Sequence, residues 1–99
     1  MLTNRLAFLY VKILLFGHTY DMTEKEKKDK KKLLKKFGDH LVQLRDERGL
    51  TAAELARLCY MERSTIARLE SGRTNPSLYV LKRLSDGLNI DMEEFFRKF

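Results

Sequence analysis

Residues 51–72 read TAAELARLCYMERSTIARLESG. Thr51 stands three residues before Glu54, the spacing of a capping box, in which each side chain satisfies a backbone N–H of the other residue. Leu55, Ala56 and Cys59 follow at helical spacing and predict a helix with one inward face. A short turn at Tyr60 and Met61 interrupts it. A second helix then begins near Glu62 or Arg63 and runs to Ser71, with Ile66 and Leu69 turned inward. Gly72 ends it, as glycine just past a helix end commonly does.

The neighbouring sequence has the same character. Upstream, Leu34, Phe37, Leu41, Leu44 and Arg48 recur at three- and four-residue spacing, which predicts a helix over about 31–48 that Gly49 terminates. Downstream, Asn75 and Pro76 read as a cap and a first helical position. That helix is expected to run to about Asp86, to bury Leu78, Leu81 and Leu84, and to stop at Gly87. Asp91, with Glu94 three residues on, reads as the cap of a last helix. With no repeat and no long linker, residues 31–99 predict an all-α, five-helix domain. The two short helices and their tight turn define a helix-turn-helix unit within it.

Ninety-nine residues suffice for one modest core. The single cysteine, Cys59, excludes a disulfide framework and a cysteine-rich zinc site, and His18 and His40 lie far apart. No hydrolase triad, phosphate-cradling loop or dinucleotide glycine pattern occurs. The chain is therefore expected to be no enzyme and to hold neither cofactor nor metal. Its net charge of +6 favours an anionic partner, with a merely basic protein as the plain alternative.

That charge is unevenly placed. Residues 22–36 hold eight lysines against three acidic residues, whereas residues 37–99 hold ten basic and ten acidic side chains. Three regions result: an apolar N-terminal segment of uncertain status (1–21), a lysine-rich arm (22–32) and the helical domain (33–99). A lysine run is ordinarily a solvated face or a tail; a flexible arm touching phosphates is the functional alternative. Residues 6–16 are apolar apart from Lys12, too short a run for a bilayer, which needs about 20 residues. Arg5 precedes the run as in a signal peptide, but residues 17–20 make a poor cleavage region. Three readings stay open: a strand or helix packing on the domain or on a second copy, a weak membrane anchor, or a stretch foreign to the natural chain. The last is favoured, because Met22 opens a start of its own, Met-Thr-Glu-Lys.

Residues 37–99, about two thirds of the chain, resemble the Cro and phage-repressor type of helix-turn-helix domain, the XRE family. The resemblance rests on Leu41, Leu44 and Arg45, on Leu50, Thr51, Glu54, Leu55 and Ala56, and on Ser64, Thr65, Ile66 and Glu70. Gly72, Asn75, Pro76 and Ser77 complete it. It implies a lambda-repressor-like fold and a transcriptional regulator of the bacterial or phage cytoplasm, expected to be a repressor. The helix over 63–71 would enter the major groove of double-stranded DNA. Arg63, Ser64 and Arg68 would then reach bases, arginine suiting the paired acceptors of guanine. Thr51, Arg73, Asn75 and Ser77 would contact phosphates, and Arg45 and Glu70 would form a partly buried ion pair.

Three departures bear on the contacts. Ala52 stands where the family usually has glutamine, Glu62 where a small hydroxyl residue is common, and Tyr60 where a turn glycine is usual. Tyr60 leaves that turn either strained or differently shaped. Met92, Phe95, Phe96 and Phe99 fall at i, i+3, i+4 and i+7, one apolar stripe of which part closes the core and the rest is expected to join a homodimer. Packing of all four internally is the alternative. Competing functions are an antitoxin paired with a toxin, a protein-interaction adaptor that has lost specific DNA binding, and a membrane-tethered regulator.

Overall fold

The computed structural model describes residues 4–16, 22–97 and 99; residues 17–20, His18 among them, lie outside that set. The all-α expectation holds. Among the described residues five α-helices occur, α1 (Asn4–Phe16), α2 (Glu24–Asp46), α3 (Ala52–Leu58), α4 (Arg63–Glu70) and α5 (Leu78–Leu88), followed by a 3-10 helix, Met92–Phe96. The choice left open for residues 6–16 falls to helix, with Phe8, Leu14 and Leu15 exposed. No helix among the described residues is long and apolar enough to cross a membrane.

Helix α2 begins at Glu24 rather than near Lys31. The cause is a second capping box: Glu26 N–H donates to Thr23 Oγ1 at 3.1 Å, and Thr23 N–H donates to the Glu26 carboxylate at 3.4 Å. Glu24 and Glu26 in the first turn also favour the helix dipole. The lysine run therefore enters the domain as the first turns of α2.

The core is continuous. Phe37, Leu41 and Leu44 of α2 meet Leu55, Ala56 and Cys59 of α3, Ile66 and Leu69 of α4, Leu84 and Leu88 of α5, and Phe95. Each large side chain so buried contributes on the order of 1.5–3 kcal/mol. Two glycines let backbones meet inside it. A Cβ on Gly38 would stand 2.3 Å from the Glu70 carbonyl oxygen, and one on Gly87 would stand 2.4 Å from Cys59 Sγ.

Gly87 thus lies within α5 and does not stop it. The helix continues to Leu88, and Asn89 takes the left-handed conformation at its end (φ 55°). The start of α5 differs as well. Ser77, not Asn75, is the cap, its Oγ accepting Val80 N–H at 3.1 Å. Leu78 is then the first helical residue, beyond the edge of the core and exposed, while Leu84, Ser85 and Leu88 make the buried face. Arg48, expected on the inward face of α2, donates to the carbonyls of Leu44 at 2.8 Å and Leu88 at 3.2 Å.

The closing segment is 3-10 rather than α, and Asp91 makes no side-chain cap bond. With three residues per turn, Met92 aligns with Phe95, and Phe99 lies beyond the helix, its N–H donating to the Phe96 carbonyl at 3.2 Å. The stripe expected on an α-helix is split accordingly: Phe95 is fully buried against Phe37, with ring centroids 5.6 Å apart, and Phe96 and Phe99 remain 47% and 46% exposed. His40 anchors this segment, its Nε2 donating to the Glu94 carbonyl at 2.8 Å.

Candidate nucleic-acid interface

The site is built on α3, α4 and the turn that joins them. At the entrance to α3, Glu54 N–H donates to Thr51 Oγ1 at 3.1 Å and Thr51 N–H donates to Glu54 Oε1 at 3.0 Å. These bonds hold the Glu54 carboxyl below its ordinary pKa. The Thr51 hydroxyl accepts in this box and keeps its proton for an outside acceptor. Ala52 is half-buried and packs against the core, with no group that could bridge to a phosphate.

The turn keeps the shape a glycine would give it. Tyr60 has φ 56°, and Met61 N–H closes on the Ala56 carbonyl at 2.9 Å. The sequence left strain or a different shape open at Tyr60; the backbone takes the strain, about 1 kcal/mol for a non-glycine residue in this region. Arg83 of α5 donates to the Tyr60 carbonyl and holds the turn in place. Cys59, behind the turn, is buried, which pushes its thiol up to about 11. It is a neutral packing residue at physiological pH.

In α4, Ile66 and Leu69 face the core, leaving Arg63, Ser64 and Arg68 exposed on the outer side. Arg63 has no hydrogen-bond or ion-pair partner among the described residues, and Arg68 makes one long bond to Thr65 Oγ1 at 3.5 Å. Glu62, at the cap position, makes no cap bond; Ser64 Oγ donates to its carboxylate at 3.4 Å. The first backbone N–H groups of α4 are left without a side-chain cap.

Beyond α4, Arg73 Nε donates to Ser71 Oγ at 2.9 Å. Asn75, relieved of the capping role by Ser77, is exposed. The α4 end is fixed to α2 by Arg45, whose Nε and Nη2 donate to Glu70 Oε2 at 2.6 Å and Oε1 at 3.2 Å. Arg45 Nη1 also donates to the Leu50 carbonyl at 3.1 Å. The Glu70 hydrogen bond, opposed by burial, raises the Arg45 pKa, so the guanidinium stays charged.

Two parts of this arrangement escaped the sequence reading. Gly38 lets α2 rest directly on the last carbonyls of α4, and Arg83 supports the turn. A glycine inside a helical pattern marks close backbone approach, and that signal was present at Gly38. Nothing comparable marked Arg83. Among the described residues no three His, Cys, Asp or Glu side chains converge as a metal site.

A family model for the helix-turn-helix family HTH_3 matches residues 41–95, more than half of the chain. The chain belongs to this family. As an HTH_3, or XRE-type, protein it carries a DNA-binding unit formed by α3, the Tyr60 turn and α4. It is 34% identical over 58 residues to the HTH-type transcriptional activator BcrR of Enterococcus faecalis; the match covers 59% of this chain and 28% of that relative, so this chain spans under a third of its length. Among solved structures, the restriction-modification controller protein C.AhdI from Aeromonas hydrophila matches with a TM-score of 0.63 and 38% identity, over 64% of this chain and 96% of that one. An HTH_3 family transcriptional regulator from Vibrio cholerae matches with a TM-score of 0.66 over 70% of this chain and 39% of that one. At 23% identity this last likeness speaks for the fold alone.

Proposed function

We propose that the protein regulates transcription by binding a specific double-stranded DNA sequence, with α4 lying in the major groove. The observation that carries this reading is the outer face of α4, where Arg63, Ser64 and Arg68 stand exposed while Ile66 and Leu69 anchor the helix from behind. The unpartnered Arg63 fork is available to a guanine edge, a contact worth about 1–3 kcal/mol of discrimination. Thr51, Arg73, Asn75 and Ser77 flank that helix and suit phosphates, which set register rather than sequence.

The finer reading is a repressor of the bacterial or phage cytoplasm that works as a homodimer, without catalysis or cofactor. The exposed Phe96 and Phe99 rings, in edge contact at 5.8 Å, form an aromatic patch suited to the dimer contact. Two copies would set their α4 helices roughly 34 Å apart and read an inverted repeat. Ala52 and the charge-neutral domain favour a second reading, an adaptor that binds a protein such as a toxin in place of specific DNA.

Selection of bound duplexes from a random pool, followed by Arg63→Ala and Arg68→Ala, tests the proposal. A two-fold symmetric motif should emerge, and each substitution should relax one position of it. Recovery of no preferred sequence, or preference unchanged by both substitutions, would overturn the assignment.

A further inference from the structure

The lysines of α2 have no part in the contacts described so far. Because the run is helical from Glu24 onward, its lysines project from a fixed backbone. Lys28, Lys31 and Lys35 fall at i, i+3 and i+7 and share one face. That face turns toward the end of α4: a Cβ on Gly72 would lie 3.0 Å from the Lys35 backbone. Between them runs a groove with Lys31, Lys32, Lys35 and Lys36 on one side and Gly72 and Arg73 on the other. Its one carboxylate, Asp39, is taken by Lys35 at 2.6 Å. Lys36 lies over the Phe99 ring, 5.6 Å from its centroid. Lys31 and Lys32 form no ion pair among the described residues.

We infer that this groove clamps the sugar–phosphate backbone of DNA flanking the recognised site, with Lys31, Lys32 and Arg73 neutralising its phosphates. The inference rests on the function proposed above, since Arg73 belongs both to the loop placed against phosphate and to the wall of the groove. A backbone held at that loop continues along the lysine face. Charge complementarity selects the occupant, because residues 22–36 carry a surplus of five positive charges (eight lysines less three acids) and residues 37–99 carry none. The clamp is blind to sequence, as phosphate contacts are. It supplies affinity that the neutral domain lacks.

The test uses the selected duplex in two lengths, one trimmed to the recognised sequence and one extended by a helical turn at each end. Both are titrated over a range of salt with the full chain and with its Lys31→Gln, Lys32→Gln double variant, whose fold is checked by thermal melting. The unsubstituted protein should bind the longer duplex more tightly. The variant should bind both at the level of the trimmed one, with the preferred sequence unaltered. Its logarithmic salt slope should be smaller by about 0.9 for each phosphate released. Equal binding of the two lengths by the unsubstituted protein, or an unchanged slope in the variant, overturns the clamp and leaves the proposed function standing. Failure to select any sequence overturns the proposed function and, with no recognised site left to flank, the clamp with it. No DNA binding at all overturns both.

Discussion

Arg45 grips Glu70 in a two-pronged ion pair, Nε to Oε2 at 2.6 Å and Nη2 to Oε1 at 3.2 Å, that joins α2 to the end of α4. Both side chains are largely withdrawn from water, at 18% and 13% exposure. Removing either strands the other. Arg45→Ala should therefore destabilise the domain by on the order of 3 kcal/mol, read as a fall in the urea midpoint. Arg45→Lys should recover only part of it, since an ammonium cannot reproduce the fork. A Tm for Arg45→Ala within error of the unsubstituted protein would refute this.

Gly87 and Cys59 should be energetically coupled. Alanine at 87 would ordinarily favour a helix by about 1 kcal/mol, yet its Cβ would meet Cys59 Sγ at 2.4 Å. Gly87→Ala should instead destabilise by roughly 1–3 kcal/mol, the usual cost of overpacking. Cys59→Ala in the same chain should relieve part of that loss. Relief stays partial because the Cys59 nitrogen and the Leu58 carbonyl carbon would also lie 3.3 Å away. Strict additivity of the two substitutions in a double-mutant cycle would show that they do not meet.

The capping box of α3 gives acid sensitivity of a definite sign. The Glu54 carboxyl is held below its ordinary value of 4.5 by its bonds to Thr51. As pH falls, the unfolded chain takes the proton first. The stabilisation from this residue is full above about 4.5 and disappears as pH drops through the lowered value. Glu54→Gln should accordingly flatten the acid limb of a stability–pH curve below pH 5 or so. A limb of unchanged steepness would count against the box.

A chain begun at Met22 should fold as well as the full one. The core begins at Phe37, and α2 carries its own cap at Thr23. The two chains should unfold at closely similar temperatures. A molten or insoluble product from the shorter chain would give α1 a structural role.

Self-association should depend on the aromatic patch at the C-terminal end. In sedimentation of the Met22 chain, Phe96→Asp with Phe99→Asp should convert dimer to monomer and remove cooperativity on DNA. Phe95 is left in place because it is fully buried. A monomer at high concentration before any substitution, binding a single half-site without cooperativity, would sink the dimer.

Most of the framework was legible where periodicity and caps agreed. Thr51 with Glu54, and Ile66 with Leu69, located α3 and α4 because local hydrogen bonding and core packing favour the same ends. Legibility failed where one signal hid another. The Thr23–Glu26 box has the same form as Thr51–Glu54, but the lysines after it disguised a helix as a tail. Gly87 resembled a terminator, whereas Cys59 requires its bare Cα and Asn89 ends the helix. Asn75 and Ser77 are both good caps, and only the structure shows that Ser77 is used. In the candidate site, Arg63 and Arg68 were named through the resemblance, and their exposure opposite Ile66 and Leu69 agrees with it. The lysine groove was not legible, because it depends on where a loop after α4 meets the flank of α2.

Helix α2 spans 23 residues, about 34 Å of rise, and carries its core contacts from Phe37 onward. Seen mechanically it is a lever. Its fulcrum is the bare Cα of Gly38 seated on the carbonyls of Leu69 and Glu70, and the Arg45–Glu70 fork pins the short arm. A torque applied near Glu24, whether by bound DNA or by chain attached there, reaches the tail of α4 without an intervening hinge. The front of α2 and the tail of α4, the helix proposed to read bases, are thereby geared together.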